Sequence, residues 1–190
     1  MGLLSKPELL KLAVQFALES ELDPALVCAH IDVRSQWNSG FSLPTAVNYM
    51  GHTQFPDPLE SEYRSIQWGL MAIGGEFARA EGYSKELSLL LRPIDNLREG
   101  CRLLFALQQN YVEPVRSVVE SLLTWNRENA RELVAQTLAK IESYRALIAR
   151  IPEIPRTFQG DGTIPLQVRS QIEGNDLLEV GSTMHTQIRP

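Results

Sequence analysis

The sequence predicts a mostly α-helical chain. Three observations carry this. Apolar residues recur at spacings of three, four and seven through most of the first 150 positions. Cap residues and prolines stand where those runs begin. No stretch alternates apolar and polar residues as a half-buried strand would.

The helices are taken in order. Ser5-Lys6-Pro7-Glu8 has the S-x-x-E form of a capping box. Leu9, Leu12, Ala13 and Phe16 follow on one face, giving a first helix to about Ser20. Asp23-Pro24 is the next start signal, a cap residue followed by proline at the first helical position. Val27, His30, Ile31 and Arg34 then share a face, and the spacing predicts a central, largely buried helix from Pro24 to Gln36. From Asn38 to about Ile66 the period is lost among Gly40, Pro44, Gly51, Pro56 and Pro58, which predicts a long irregular loop.

After the Trp68-Gly69-Leu70-Met71-Ala72-Ile73 run comes a helical stretch closed by Gly82. Pro93 opens another helix, with Leu97, Cys101, Leu104 and Phe105 on its buried stripe, and Pro114 opens one with Val115, Val118, Val119 and Leu122. The last runs from about Glu128 to Arg150, burying Leu133, Val134, Thr137, Leu138, Ile141 and Ile148. Two units result: a helical domain over 1–150 and an extended arm over 151–190. The arm has no helical period but keeps Ile154, Phe158, Ile164, Leu166, Val168, Ile172 and Leu177. That is too apolar for an inert tail, and such a segment cannot fold alone. It is expected to dock on its own domain or on a neighbouring subunit.

Composition narrows the function. The chain has 190 residues with 44% hydrophobic and 22% charged content, in the range of a globular domain. A net charge of −5 argues against nucleic-acid binding by bulk charge. Neither Cys28 nor Cys101 has metal-ligand spacing, and His30, His52 and His185 are isolated, so no metal or cofactor is expected. Both cysteines read as small buried hydrophobes. No apolar run is long enough to span a bilayer. The N-terminus lacks the form of a secretory signal, so the expectation is a protein that stays in its cytoplasm or leaves by a route needing none.

Four blocks carry a resemblance. They are Ala29-His30-Ile31-Asp32-Val33-Arg34-Ser35-Gln36-Trp37-Asn38, then Trp68-Gly69-Leu70-Met71-Ala72-Ile73, then Asn96-Leu97-Arg98-Glu99-Gly100, then Leu123-Thr124-Trp125-Asn126. In this order, over roughly Leu9 to Ile148, the chain resembles the soluble lytic transglycosylase and goose-type lysozyme family, in a branch common in bacterial viruses and prophages. The resemblance implies a lysozyme-like helical domain, with room for small sheet pieces in the Asn38 to Ile66 loop. It also implies a glycan cleft lined by Ser35, Gly69, Leu70, Met71, Ala72, Trp125 and Asn126.

The departures from the family are as informative. The family's catalytic glutamate, which protonates the glycosidic oxygen, is matched by Arg34. A guanidinium with a pKa above about 12 is no useful proton donor. The family glutamine is matched by Ala72, and its tyrosine by Trp125. Arg34 is therefore expected to be partly buried with a carboxylate partner, Glu60 and Glu62 being the candidates. The resemblance implies an inactive scaffold reused as a structural or binding part of a bacteriophage tail or baseplate. The arm Ile151 to Pro190 would contact other virion subunits, and peptidoglycan glycan is a further candidate partner. The location would then be the virion, or the host cytoplasm before assembly. Two alternatives stand beside this: an active peptidoglycan-cleaving enzyme using Glu62 as a relocated acid, and an unrelated helical interaction protein.

Overall fold

The structure, a computed structural model, describes residues 4–44, 58–109 and 130–151. Among them the chain is mostly helical, as the periodicity predicts. Helix α1 (Lys6–Glu19) starts at the expected box: the Glu8 carboxylate accepts both the backbone N–H of Ser5 at 2.7 Å and its hydroxyl at 2.6 Å. Helix α2 (Pro24–Arg34) starts at Asp23, whose Oδ1 accepts the Ala25 N–H at 2.9 Å. Such a cap satisfies a donor that the first helical turn leaves without a partner.

Seven consecutive residues of α2, from Ala25 to Ile31, are buried. The helix is central because α1 packs on one side of it and α6 (Ala130–Ile148) on another. It stops two residues short of the predicted end. Gln36 and Trp37 take positive φ, 53° and 65°, which an α-helix cannot continue through. Trp37 is held there by its indole N–H, which donates to the Tyr144 hydroxyl of α6 at 2.9 Å. Asp32, on the other face of α2, pairs with Lys140 at 2.7 Å and Lys6 at 3.6 Å, tying all three helices together.

Between Asn38 and Ile66 the described residues form regular elements where the sequence predicts an irregular loop. They include strand β1 (Ser42–Pro44) and helix α3 (Pro58–Arg64). With β2 (Ile66–Trp68) and β3 (Ile73–Gly74), β1 forms an antiparallel sheet in the order β1-β2-β3. Ser42 lies opposite Trp68, and Trp68 opposite Ile73. Strands of two and three residues are too short to show alternation in sequence. Helix α3 is only two turns long, so it shows no sustained period either. Residues 45–57, with His52, lie outside the described residues.

Helix α4 (Gly75–Ala80) ends as predicted, with Gly82 at φ 89°. A 3-10 helix (Leu87–Leu91) leads into α5 (Pro93–Gln109), which buries Leu97, Cys101 and Leu104. Phe105 is only partly buried. Helix α6 buries Val134, Thr137 and Ile141, but Leu138 is exposed and Tyr144 takes the inward place instead. Tyr144 reaches Trp37 across the α2–α6 contact, which rotates the buried stripe away from Leu138. Both cysteines are free and buried, as expected. The helix expected from Pro114 and the arm from residue 152 onward lie outside the described residues. Among those described, no helix is long and apolar enough to cross a membrane.

Candidate functional site

The end of α2, the β2–β3 turn and α5 meet around a narrow cleft. The turn is Gly69-Leu70-Met71-Ala72, closed by the Ala72 N–H donating to the Gly69 carbonyl at 3.0 Å. Gly69 sits at φ 66°, and a Cβ there would collide with the Leu90 carbonyl and the Asn96 side chain. Only glycine fits both demands. Asn96, fully buried on α5, is the clamp. Its Oδ1 accepts the Met71 N–H at 2.8 Å, and its Nδ2 donates to the Trp68 and Leu90 carbonyls, each at 2.8 Å. One turn later, Gly100 lets α5 approach, since a Cβ there would strike the Met71 sulfur.

His30 fixes the turn from the α2 side. Its Nε2 lies 3.1 Å from the Met71 carbonyl, so that nitrogen carries the proton. The ring is buried, and among the described residues Nδ1 meets no hydrogen-bonding partner. Burial, helped by the nearby Arg34 charge, pushes the imidazole pKa down to about 3, so His30 is neutral at pH 7.

Arg34 stands at the mouth. Its Nη2 donates to the Gln67 Oε1 at 2.6 Å. This corrects the sequence expectation of a carboxylate partner. Glu60 is taken up elsewhere, by Arg79 at 2.7 Å and Arg64 at 2.9 Å, which hold its carboxyl below the usual carboxylate range. Glu62 is exposed on α3 and does not border the cleft. Burial lowers the Arg34 pKa to about 10, still leaving it charged at pH 7, and no described carboxylate pairs with it.

The cleft walls add Met71, Ala72, Ile73 and Gly74 from the turn and β3, Phe77 from α4, and Gly100 and Leu103 from α5. The space open to a water-sized molecule is about 20 Å³. Among the described residues that line it, none is an aspartate or a glutamate. Of the positions singled out from sequence, Met71 and Ala72 face the cleft. Gly69 forms the turn behind it, and Ser35 and Leu70 are buried in the core, the Ser35 hydroxyl donating to the Ile31 carbonyl at 3.2 Å. Trp125 and Asn126 lie outside the described residues. His30 and Gln67 were not singled out as site residues. The signal for His30 was there: a histidine one turn before Arg34 on the same apolar face. Gln67 offers none, because a glutamine before a tryptophan has no motif.

Among the described residues, no group of three or more histidine, cysteine, aspartate or glutamate side chains could hold a metal ion. Compared with known proteins, the chain matches no family model, no curated protein and no solved structure.

Proposed function

We propose that this chain is a catalytically inactive domain built on the lytic transglycosylase and goose-lysozyme plan, used as a structural or binding part of a bacteriophage tail or baseplate. The observation that carries the inactive reading is the cleft itself. The residue facing it from the end of the central helix is Arg34, and no described carboxylate lines it. Glycoside cleavage by this plan needs a carboxylic acid with a raised pKa beside the scissile oxygen. The alternative acid, Glu62, is exposed on α3, away from the apolar burial that raises a carboxyl pKa.

The family plan is supported by the way three blocks, distant in sequence, converge. The α2 end, the Gly69 to Ala72 turn and the Asn96 to Gly100 segment build one clamp. The phage setting rests on family analogy, and the apolar arm after Arg150 is its assembly element.

The test is digestion of purified peptidoglycan. The expected result is no release of soluble muropeptides. Release that disappears in Glu62→Gln would establish the enzyme reading instead. For the setting, mass spectrometry of purified virions from a host carrying this gene should find the chain at a fixed ratio to tail subunits.

A further inference from the structure

We propose that the cleft at the end of α2 binds a single halide ion, chloride in ordinary solution, with the Arg34 guanidinium and the Gln67 side-chain amide as its donors. This inference stands on the cleft's own geometry and does not depend on the origin proposed for the fold.

The donor count points to an anion. A guanidinium has five N–H donors in a fixed fork. Among the described residues, Arg34 uses one, on the Gln67 Oε1 at 2.6 Å. That bond fixes the orientation of the Gln67 amide, so its Nε2 carries two further donors. Gln67 is only 2% exposed and borders the cleft, yet its Nε2 donates to no described residue. Donors therefore converge from α2 and β2 on a cleft whose described lining supplies no anionic acceptor. The His30 Nδ1, the lone-pair acceptor of the neutral ring, has no accessible surface, so it does not face the free space and does not repel an anion there.

Size and charge then name the ion. The space open to a water-sized molecule is about 20 Å³, and Met71, Ile73 and Leu103 behind it are almost fully buried. That leaves no place for a carboxylate, a phosphate or any ligand with a substituent. Water and single-atom ions remain. Charge decides between them. Arg34 is cationic, His30 is neutral, and none of the described lining residues is an aspartate or a glutamate. A water would accept from the donors and leave the charge unbalanced. A halide accepts from the same donors and balances it, each bond being charge-assisted on the Arg34 side. A spherical ion also makes no directional demand, so it takes N–H groups from a guanidinium edge and from an amide together.

The experiment is a titration of the full-length, 15N-labelled protein with sodium chloride, sodium bromide and sodium acetate, each at an ionic strength held constant with sodium gluconate. Chloride and bromide should shift the Arg34 Nε–H and Gln67 side-chain amide signals saturably. Acetate, which is too large for the cleft, should not. Arg34→Met should abolish the saturable shift of the Gln67 amide. Gln67→Glu, nearly the same shape, gives Arg34 a counter-charge of its own. It should weaken the chloride response of the Arg34 Nε–H by about tenfold or more, and it serves if the methionine variant does not fold. No shift, a shift that does not saturate, a response to acetate as strong as to chloride, or a saturable shift unchanged in either variant would overturn the proposal.

Discussion

Two half-buried arginines in this molecule have opposite surroundings. Arg79 on α4 is fully engaged. Its Nε and Nη2 bind the two oxygens of Glu60 at 2.7 and 3.0 Å, and its Nη1 donates to the Tyr83 and Lys85 carbonyls. The hydrogen bond with Glu60 raises its pKa above the ordinary arginine value. Arg34 has one neutral partner, and burial lowers its pKa to about 10. The first arrangement locks α4 to α3 and holds a connection together. The second keeps a charge in a cleft where no described residue supplies a counter-charge, which costs stability. The contrast separates an arginine that ties two elements together from one that has a single neutral partner among the described residues.

The largest effect should come from loosening the frame that holds the cleft. Asn96→Ala removes three hydrogen bonds from a fully buried site and leaves the Met71 N–H without an acceptor. At about 1–3 kcal/mol for each buried group left unsatisfied, the loss should reach ~3 kcal/mol or more. Urea unfolding measures it. A loss below about 1 kcal/mol would mean that the turn is held by other means, and the cleft's geometry would have to be redrawn.

A smaller effect separates the two regions by pH. The folded pKa of His30 is depressed from 6.5 to about 3, so the unfolded chain binds the proton first as pH falls. The stability gained by keeping His30 neutral is present above about pH 6.5 and is lost on acidification towards the folded pKa. The slope should approach 1.4 kcal/mol per pH unit, roughly 2 kcal/mol between pH 6 and 4.5. Glu60 and Asp32 have lowered pKa values, so the stability they contribute is present above their ordinary values of 4.5 and 3.8 and is lost only at more acid pH. His30→Gln should flatten the slope between pH 6.5 and 4.5 and leave the more acid loss in place. An unchanged slope in that variant would assign the acid sensitivity to other groups.

Legibility in the sequence followed the range of the interaction. Features set within one turn could be read directly. The Ser5–Glu8 box, the Asp23 cap, the Gly82 stop and the buried face of Val27, His30 and Ile31 all stand where the sequence puts them. So does the half-buried place of Arg34. Its partner could not be read, because Gln67 is 33 positions away and reaches Arg34 only through the β2 register. Glu60 and Glu62 were plausible on charge alone, but Glu60 is committed to Arg64 and Arg79, and Glu62 faces solvent. The inward place of Tyr144 over Leu138 was likewise decided by a distant residue, Trp37. In each case helical period gave the face, and tertiary pairing chose the contact.

The smallest expected change tests the central contrast most directly. It is the unfolding free energy, in urea at pH 7, of Arg34→Met beside Arg79→Met. Arg79→Met strips Glu60 of its bidentate partner and leaves two carbonyls without their donor, so it should cost about 2 kcal/mol, discounted for partial exposure. Arg34→Met removes a desolvated charge and one neutral hydrogen bond and leaves methionine against Phe77 and Leu103. It should fall within about 0.5 kcal/mol of the parent or be more stable. Equal losses in the two variants would contradict the account, because Arg34 would then be a structural arginine like Arg79.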